Sequence, residues 1–370
     1  MAPRSPIRKT DTIAPALLGW YDRHHRELPW RVSPSMAAKG KRADPYRVWL
    51  SEIMLQQTTV AAVKPYFAKF LDKWPTIDAL AAADPDDVMK AWAGLGYYSR
   101  ARNLKKCADE IAAKFSGTFP DTVEGLRALP GVGDYTAGAI AAIAFNRPAT
   151  VVDGNVERVI ARLFAIETPL PDAKSEIRAI TDTLVPQDRP GDFAQAMMDL
   201  GATICTPRRP TCIACPVNDN CAALKTGDPE LYPRRTPKAD RPVRKGAAFV
   251  AIRDDGAILL RKRPDSGLLA NMAEVPTSAW TARIDGATTP DAAPFPAGWQ
   301  RAGDVAHVFT HFELDLAVYR VSVGAMAAPV GYWWANANKI NDEALPTVMK
   351  KAIEAAVPGA TRKSPLREKK

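Results

Sequence analysis

The sequence predicts a multidomain chain: an all-α or nearly all-α domain over residues 1–225, then a smaller α+β domain over 245–357. Three observations carry that expectation. At 370 residues the chain is too long for one ordinary core. Its apolar residues recur three and four apart up to about residue 225 and alternate with a period of two beyond 245. Between the two patterns, residues 226–244 hold four prolines and five basic residues, a composition that forms no core and reads as a semi-rigid basic linker.

The helical part contains amphipathic stretches at 48–63, 85–93, 100–115 and 190–203, broken by Pro and Gly. Within it, Leu129-Pro130-Gly131-Val132-Gly133-Asp134-Tyr135-Thr136 separates two short helical patterns, at 123–129 and 136–145. Gly131 and Gly133 allow a tight turn, and the N–H groups that open the second helix can face a phosphate. This is a helix–hairpin–helix shape over about 123–145, although a purely structural turn explains a lone Gly-x-Gly equally well. In the second domain, strands at 246–253 and 257–263 are joined at Asp254-Asp255-Gly256, a hairpin signal. A strand-rich stretch follows at 307–323, then a closing helix at 343–357. Residues 358–370, with five Lys or Arg and two Pro, read as a disordered basic tail.

The formal net charge of +9 suits a partner that is a polyanion. No apolar run reaches the length of a membrane span, and the N-terminus lacks the apolar stretch of a signal peptide, so an intracellular protein is expected. Four of five cysteines fall between Cys205 and Cys221, whereas Cys107 stands alone in a helical pattern as a small apolar residue. Cys205, Cys212, Cys215 and Cys221 follow the spacing C-x6-C-x2-C-x5-C. Soft thiolates at this density select zinc or an iron–sulfur cluster, and spacing alone leaves both open. The loop Thr206-Pro207-Arg208-Arg209-Pro210 could display its arginines to DNA phosphates or simply to water.

Two carboxylates stand out. Glu52 lies in Trp49-Leu-Ser-Glu-Ile-Met-Leu-Gln-Gln-Thr58, between apolar neighbours where desolvation raises a carboxyl pKa. Asp153, in Val151-Val-Asp-Gly-Asn-Val-Glu-Arg-Val159, stands before a helical run and has an ordinary use as an N-cap. Together they suit glycosidic cleavage, which needs an acid for the leaving group and an anion beside an oxocarbenium-like sugar.

The glycine turn, the Val-Asp-Gly-Asn-Val segment and the cysteine spacing resemble the endonuclease III superfamily. Leu50-Ser-Glu-Ile-Met-Leu-Gln-Gln-Thr58 and Gly94-Leu-Gly-Tyr-Tyr-Ser-Arg100 resemble, within it, the MutY-type adenine DNA glycosylases. The resemblance implies a [4Fe–4S] cluster on the four cysteines and double-stranded DNA carrying adenine opposite 8-oxoguanine or guanine as substrate. It implies a monomer, in the cytoplasm with the nucleoid. By it Glu52 is the general acid that protonates adenine and Asp153 the anion that stabilises the sugar, with Tyr135 and Asn155 in support. Relatives that also cleave the abasic strand have lysine where this chain has Tyr135, so hydrolysis without a lyase step is implied. Gln57 and Tyr97 match residues that enter the duplex as adenine flips out. Trp30 and Arg31 match base-pocket positions, and Gln195 matches a position, Glu or Gln, that faces the base edge.

The second domain resembles the MutT-like, Nudix-fold module of these enzymes. The resemblance assigns contact with 8-oxoguanine in the opposite strand to His307-Val-Phe309-Thr310-His311. Thr310 replaces the usual serine, and the aromatic usual near Ala273 is missing. The acidic Nudix hydrolase box is missing too, which implies recognition in place of hydrolysis. Residues 33–42 form a small insertion with no assignable role. Two alternatives compete. One is an endonuclease III-like glycosylase–lyase for oxidised pyrimidines, against which Tyr135 and the second domain count. The other is a non-catalytic DNA-binding or redox-sensing protein, against which Glu52 and Asp153 count.

Overall fold

The computed structural model describes residues 9–237 and 240–361. Its backbone divides into two compact units, 1–82 with 106–238 and 83–105 with 239–370. Residues 83–105, read from sequence with the helical domain, thus group with the later part of the chain. The tail expected over 358–370 lies outside the described residues from 362 onward.

The first unit is helical. Its elements are α1 (Ile13–His24), α2 (Pro34–Ala38), α3 (Pro45–Leu55), α4 (Val60–Lys73) and α5 (Ile77–Ala81). The helices α6 (Pro85–Trp92) and the first part of α7 (Ser99–Phe115) belong to the other unit. The first unit continues with α8 (Val123–Arg127), α9 (Asp134–Phe145), α10 (Gly154–Leu163), α11 (Lys174–Leu184), α12 (Pro190–Thr203) and α13 (Ala222–Thr226). Caps mark several starts: Asp44, Thr59, Thr76, Thr122 and Asp153 each accept a backbone N–H from the first turn. The stretch read as one helix over 48–63 is two, because Gln57 takes a left-handed backbone (φ 54°) and interrupts the ladder. Gly131 (φ 75°) makes the turn between α8 and α9. A core of Leu17, Val156, Ile160, Ile177, Phe193 and Met197 packs α1, α10, α11 and α12 together.

The proline-rich segment is not free along its whole length. Tyr232 is buried in this core, its hydroxyl donates to Glu167, and its carbonyl accepts from Arg162 Nε at 3.1 Å. Leu170 N–H donates to Arg234 O at 2.8 Å, so residues 232–236 run as an anchored strap.

The second unit is built on a six-stranded mixed sheet of β1 (Val243–Arg253), β2 (Ile258–Lys262), β3 (Ala273–Glu274), β4 (Gln300–Val308), β5 (Glu313–Val323) and β6 (Tyr332–Ala335). The order is β3-β2-β1-β5-β4, with β6 also on β2. The β1–β5 pair is parallel over eleven residues, Val243 opposite Glu313 to Arg253 opposite Val323. The hairpin expected at Asp254-Asp255-Gly256 forms, with Gly256 at φ 80°. The helix α14 (Thr347–Ala356) closes the core through Val348, Met349, Ala352 and Ile353. Glu274 is buried between the guanidinium groups of Arg261 and Arg263, an ion triad that holds β2 to β3. Among the described residues no helix is long and apolar enough to cross a membrane.

Candidate active site

The first unit contains a cavity of about 560 Å³ that brings together most of the residues singled out from sequence. Glu52, Tyr135, Asp153, Asn155, Trp30, Arg31, Gln57 and Gln195 all line it, with Arg26, Ser51 and Met198. Glu52 comes from α3, where Trp49, Leu50, Ile53 and Met54 are buried around it; its carboxyl is almost wholly buried. Burial raises the Glu52 pKa, the Tyr135 hydrogen bond lowers it, Asp153 raises it and Arg31 lowers it; the balance pushes it up to about 7. Tyr135, on the first turn of α9, donates its hydroxyl to Glu52 Oε2 at 2.8 Å and also lies 3.6 Å from Met198 Sδ. Burial and the adjacent Glu52 hold the phenol well above its usual range, so it is a donor here.

Asp153 has the capping role that its position suggests and lines the cavity as well. Its Oδ1 accepts from the backbone N–H of Asn155 (2.9 Å) and Val156 (2.8 Å), and its Oδ2 from Asn155 Nδ2 (2.9 Å). Asn155 is oriented in turn by Arg158, whose guanidinium donates to Asn155 Oδ1 at 2.8 Å, Gly201 O at 2.7 Å and Cys205 O at 2.7 Å. Trp30 is buried edge-on against Phe67 at 5.2 Å between ring centres. Gln195, on α12, donates through Nε2 to Gly191 O at 3.2 Å, and its buried Oε1 has no hydrogen-bond partner. An unpaired acceptor in a cavity wall is costly until a ligand donor meets it.

Gly131 and Gly133 are exposed in the turn before α9. Gly133 supplies no side-chain cap, so the first N–H groups of α9 are not covered by one.

The four cysteines line a separate small cavity of about 30 Å³ with Arg162, Ile204, Pro210 and Leu224. Among the described residues no group of three or more His, Cys, Asp or Glu converges closely enough for a single metal ion. Arg162 is buried and organises the loop: its Nη1 donates to Cys205 Sγ at 3.3 Å and Thr206 O at 2.7 Å, its Nη2 to Pro207 O at 3.1 Å. The loop fixed this way leaves Arg208 and Arg209 exposed.

In the second unit, Tyr97 is 46% exposed on a left-handed backbone (φ 48°), and its hydroxyl lies 3.4 Å from Thr310 Oγ1. Thr310 and His311 are exposed at the β4–β5 turn. Phe309 is half-buried at the same turn. Its ring packs inward, stacked on Phe312 at 4.7 Å and edge-on to His307 at 4.7 Å, because a large apolar ring gains more from the core than from water. It shapes the loop, while Thr310 and His311 present polar atoms.

Sequence reasoning missed Asp199, Arg26, Arg158 and Arg162. The Arg26–Asp199 pair spans 173 residues, and Arg158 and Arg162 bond mainly to backbone carbonyls 43 or more residues away, so no local spacing exposes them. The available signal was an Asp inside the otherwise apolar Met197-Met198-Asp199-Leu200, the same signal that exposed Glu52.

Residues 50–187 match the model of the HhH-GPD superfamily of base excision DNA repair proteins, and residues 247–355 match a NUDIX domain. The chain is 36% identical to the human adenine DNA glycosylase, over 91% of this chain and 72% of the relative. It is also 36% identical to the adenine DNA glycosylase of Mycolicibacterium smegmatis, over 74% of this chain and 92% of the relative. Among solved structures, a thermostable thymine-DNA glycosylase aligns with a TM-score of 0.52 and 30% identity, covering 59% of this chain and 97% of its own. That neighbour shares the fold of the helical part. With a buried acid, a capping aspartate and relatives of one kind spanning both units, the chain belongs to the adenine DNA glycosylase family.

Proposed function

We propose that this protein is a monofunctional base-excision glycosylase that hydrolyses the N-glycosidic bond of adenine mispaired with 8-oxoguanine or guanine in double-stranded DNA. The observation that carries the reading is Glu52: a buried carboxyl pushed up to about 7 in a cavity it shares with Asp153. At neutral pH such a group is half protonated and can deliver a proton. Tyr135 donates to Oε2, so the acidic proton belongs on Oε1, the oxygen left for the base. Proton transfer from Oε1 to a ring nitrogen of the flipped adenine makes it a neutral leaving group. Asp153, held by three N–H donors, serves as the anion beside the cationic sugar, and water completes the hydrolysis. The cavity lining includes no lysine, which supports release without a Schiff base. Trp30, Arg31 and Gln195 surround the base, while Gln57 and Tyr97 fill the stack it leaves. Gly131 and Gly133 open α9 toward a phosphate.

Cys205, Cys212, Cys215 and Cys221 would hold a [4Fe–4S] cluster. A cluster takes one thiolate per iron, which fits four cysteines spread around one cavity without single-ion convergence. Its role would be to fix the loop carrying Arg208 and Arg209. In the second unit Thr310 and His311 read the base opposite adenine. The protein acts as a monomer inside the cell, at the nucleoid.

A strand-cleavage assay tests the reading on duplexes with adenine opposite 8-oxoguanine, guanine or thymine, with and without alkali. Breaks at adenine opposite 8-oxoguanine and guanine, seen only after alkali, are expected. Cleavage without alkali, or excision of an oxidised pyrimidine in its place, overturns it. Iron analysis of the purified protein, expected near four atoms per chain, tests the cluster.

A further inference from the structure

We propose that Asp199 is the positioning residue that fixes Arg31 in the wall of the base cavity and neutralises the charge Arg31 turns toward Glu52. The proposal rests on the reading of Glu52 as the acid and assigns a residue outside the reacting set.

The geometry is a buried carboxylate shared by two guanidinium groups. Asp199 is fully buried on α12. Its Oδ1 accepts from Arg26 Nε at 2.6 Å, and its Oδ2 from the Arg26 backbone N–H at 2.9 Å and Arg31 Nη1 at 2.7 Å. The two cations differ in freedom. The Arg26 side chain is 28% exposed and can turn to water; that of Arg31 is 8% exposed and cannot. The Arg31 guanidinium has one further hydrogen bond among the described residues, to Arg26 O at 3.5 Å. The buried Tyr21 hydroxyl, close in space, has no hydrogen-bond partner and contributes no charge. Asp199 therefore supplies both the principal anchor and the only carboxylate in contact with Arg31 among the described residues. Its helix also places Gln195 one turn earlier and Met198 against Tyr135, so α12 supplies both residues to the cavity lining.

The groups acting on Glu52 are the Tyr135 hydroxyl from α9 and the charges of Asp153, at the start of α10, and Arg31. Arg31 favours the Glu52 carboxylate, which is the wrong form for an acid. Pairing Arg31 with Asp199 limits that effect while keeping a donor at the base. In Asp199→Asn the amide oxygen can keep Arg26 N–H and Arg31, while the amide NH2 drives the Arg26 side chain outward. Arg31 stays in place without its counter-charge. Glu52 then loses its proton at lower pH.

Single-turnover excision of adenine opposite 8-oxoguanine is measured from pH 5.5 to 9 for the wild type, Asp199→Asn, Arg31→Met and the double variant. The alkaline limb of Asp199→Asn is expected to move down by about one unit, costing roughly tenfold at pH 8 and less than about threefold at pH 6. In the Arg31→Met background the same substitution should leave the limb unmoved, because the charge it neutralised is gone. An equal loss at pH 6 and pH 8, an upward shift, or an undiminished effect without Arg31 overturns the proposal. So does an Arg31→Met enzyme with a wild-type rate and profile, a result that leaves the glycosylase reading standing. Failure of the wild type to excise adenine overturns that reading instead. A lower melting temperature accompanies either a structural or a positioning role and decides nothing between them, which is why the pH profile is the readout.

Discussion

Replacing Glu52 with glutamine should make the protein inactive and, above neutral pH, more stable. The side chain is buried on α3 and its carboxyl pKa is pushed from 4.5 up to about 7. A carboxyl raised in the folded state favours folding below its unfolded-state value. That contribution is lost as pH rises through the folded value, here between about 4.5 and 7. From pH 5 to pH 8 the wild type therefore loses about 2–3 kcal/mol that an uncharged side chain would not lose. The amide of Glu52→Gln keeps the volume, and its oxygen still accepts from Tyr135. Thermal melts of both proteins at pH 5 and pH 8 give the comparison. For a unit of this size 1 kcal/mol shifts Tm by roughly 2–4 °C, so the gap should widen by roughly 5–10 °C in favour of the variant. Single-turnover excision should fall by roughly 10²–10⁴, the usual span of a general acid.

Parallel melting curves at the two pH values would refute the argument, because they would place the carboxyl in water and remove the reason for its being an acid near neutrality. Retained excision beside the expected melting behaviour would instead separate burial from chemistry and move the acid elsewhere in the cavity.

Tyr135→Phe removes the hydrogen bond that lowers the Glu52 pKa, so Glu52 should keep its proton to higher pH. The alkaline limb of single-turnover excision should move upward, opposite to the shift expected for Asp199→Asn; an unmoved limb would show that the hydroxyl does not govern the acid. Gln57→Gly relieves a left-handed backbone that costs a non-glycine residue about 1 kcal/mol, and it deletes a side chain exposed at the cavity. Melting temperature should hold or rise while excision falls by at least tenfold; a variant that excises normally leaves Gln57 with no part in holding the duplex open.

Glu52, Asp153 and the four cysteines were legible because each breaks a local rule: an acid among apolar residues, a cap in a conspicuous motif, soft ligands at close spacing. Gln57 was legible as a residue but not as a break. No Gly or Pro marks the interruption after Leu55, and the proline that follows, Pro65, lies inside α4. Tyr232 was hidden by its neighbours, since a segment with four prolines reads as coreless although one buried ring anchors it to Arg162 and Glu167. The inward stacking of Phe309 on Phe312 was not legible, because sequence gives the loop a function without giving each side chain a direction. The arginines were the least legible. Arg26, Arg158 and Arg162 look like ordinary members of a basic chain until folding sets them against Asp199, Asn155 and backbone carbonyls.

That last group explains how one cavity keeps two carboxyl groups in different roles. Asp153 sits at a helix start, where two backbone N–H groups and the Asn155 amide converge on its two oxygens. Glu52 sits inside a helix, where every backbone N–H is already used, so its one donor is Tyr135 and burial prevails. The difference follows from the two positions in their helices, a cap against an interior site, and needs no difference in side-chain chemistry. Cations could erase it. A free guanidinium beside Glu52 would favour a second anion, and the structure ties each nearby arginine elsewhere: Arg31 and Arg26 to Asp199, Arg158 to Asn155 and to the carbonyls of Gly201 and Cys205. The acid survives in a basic protein because the arginines around it already have partners.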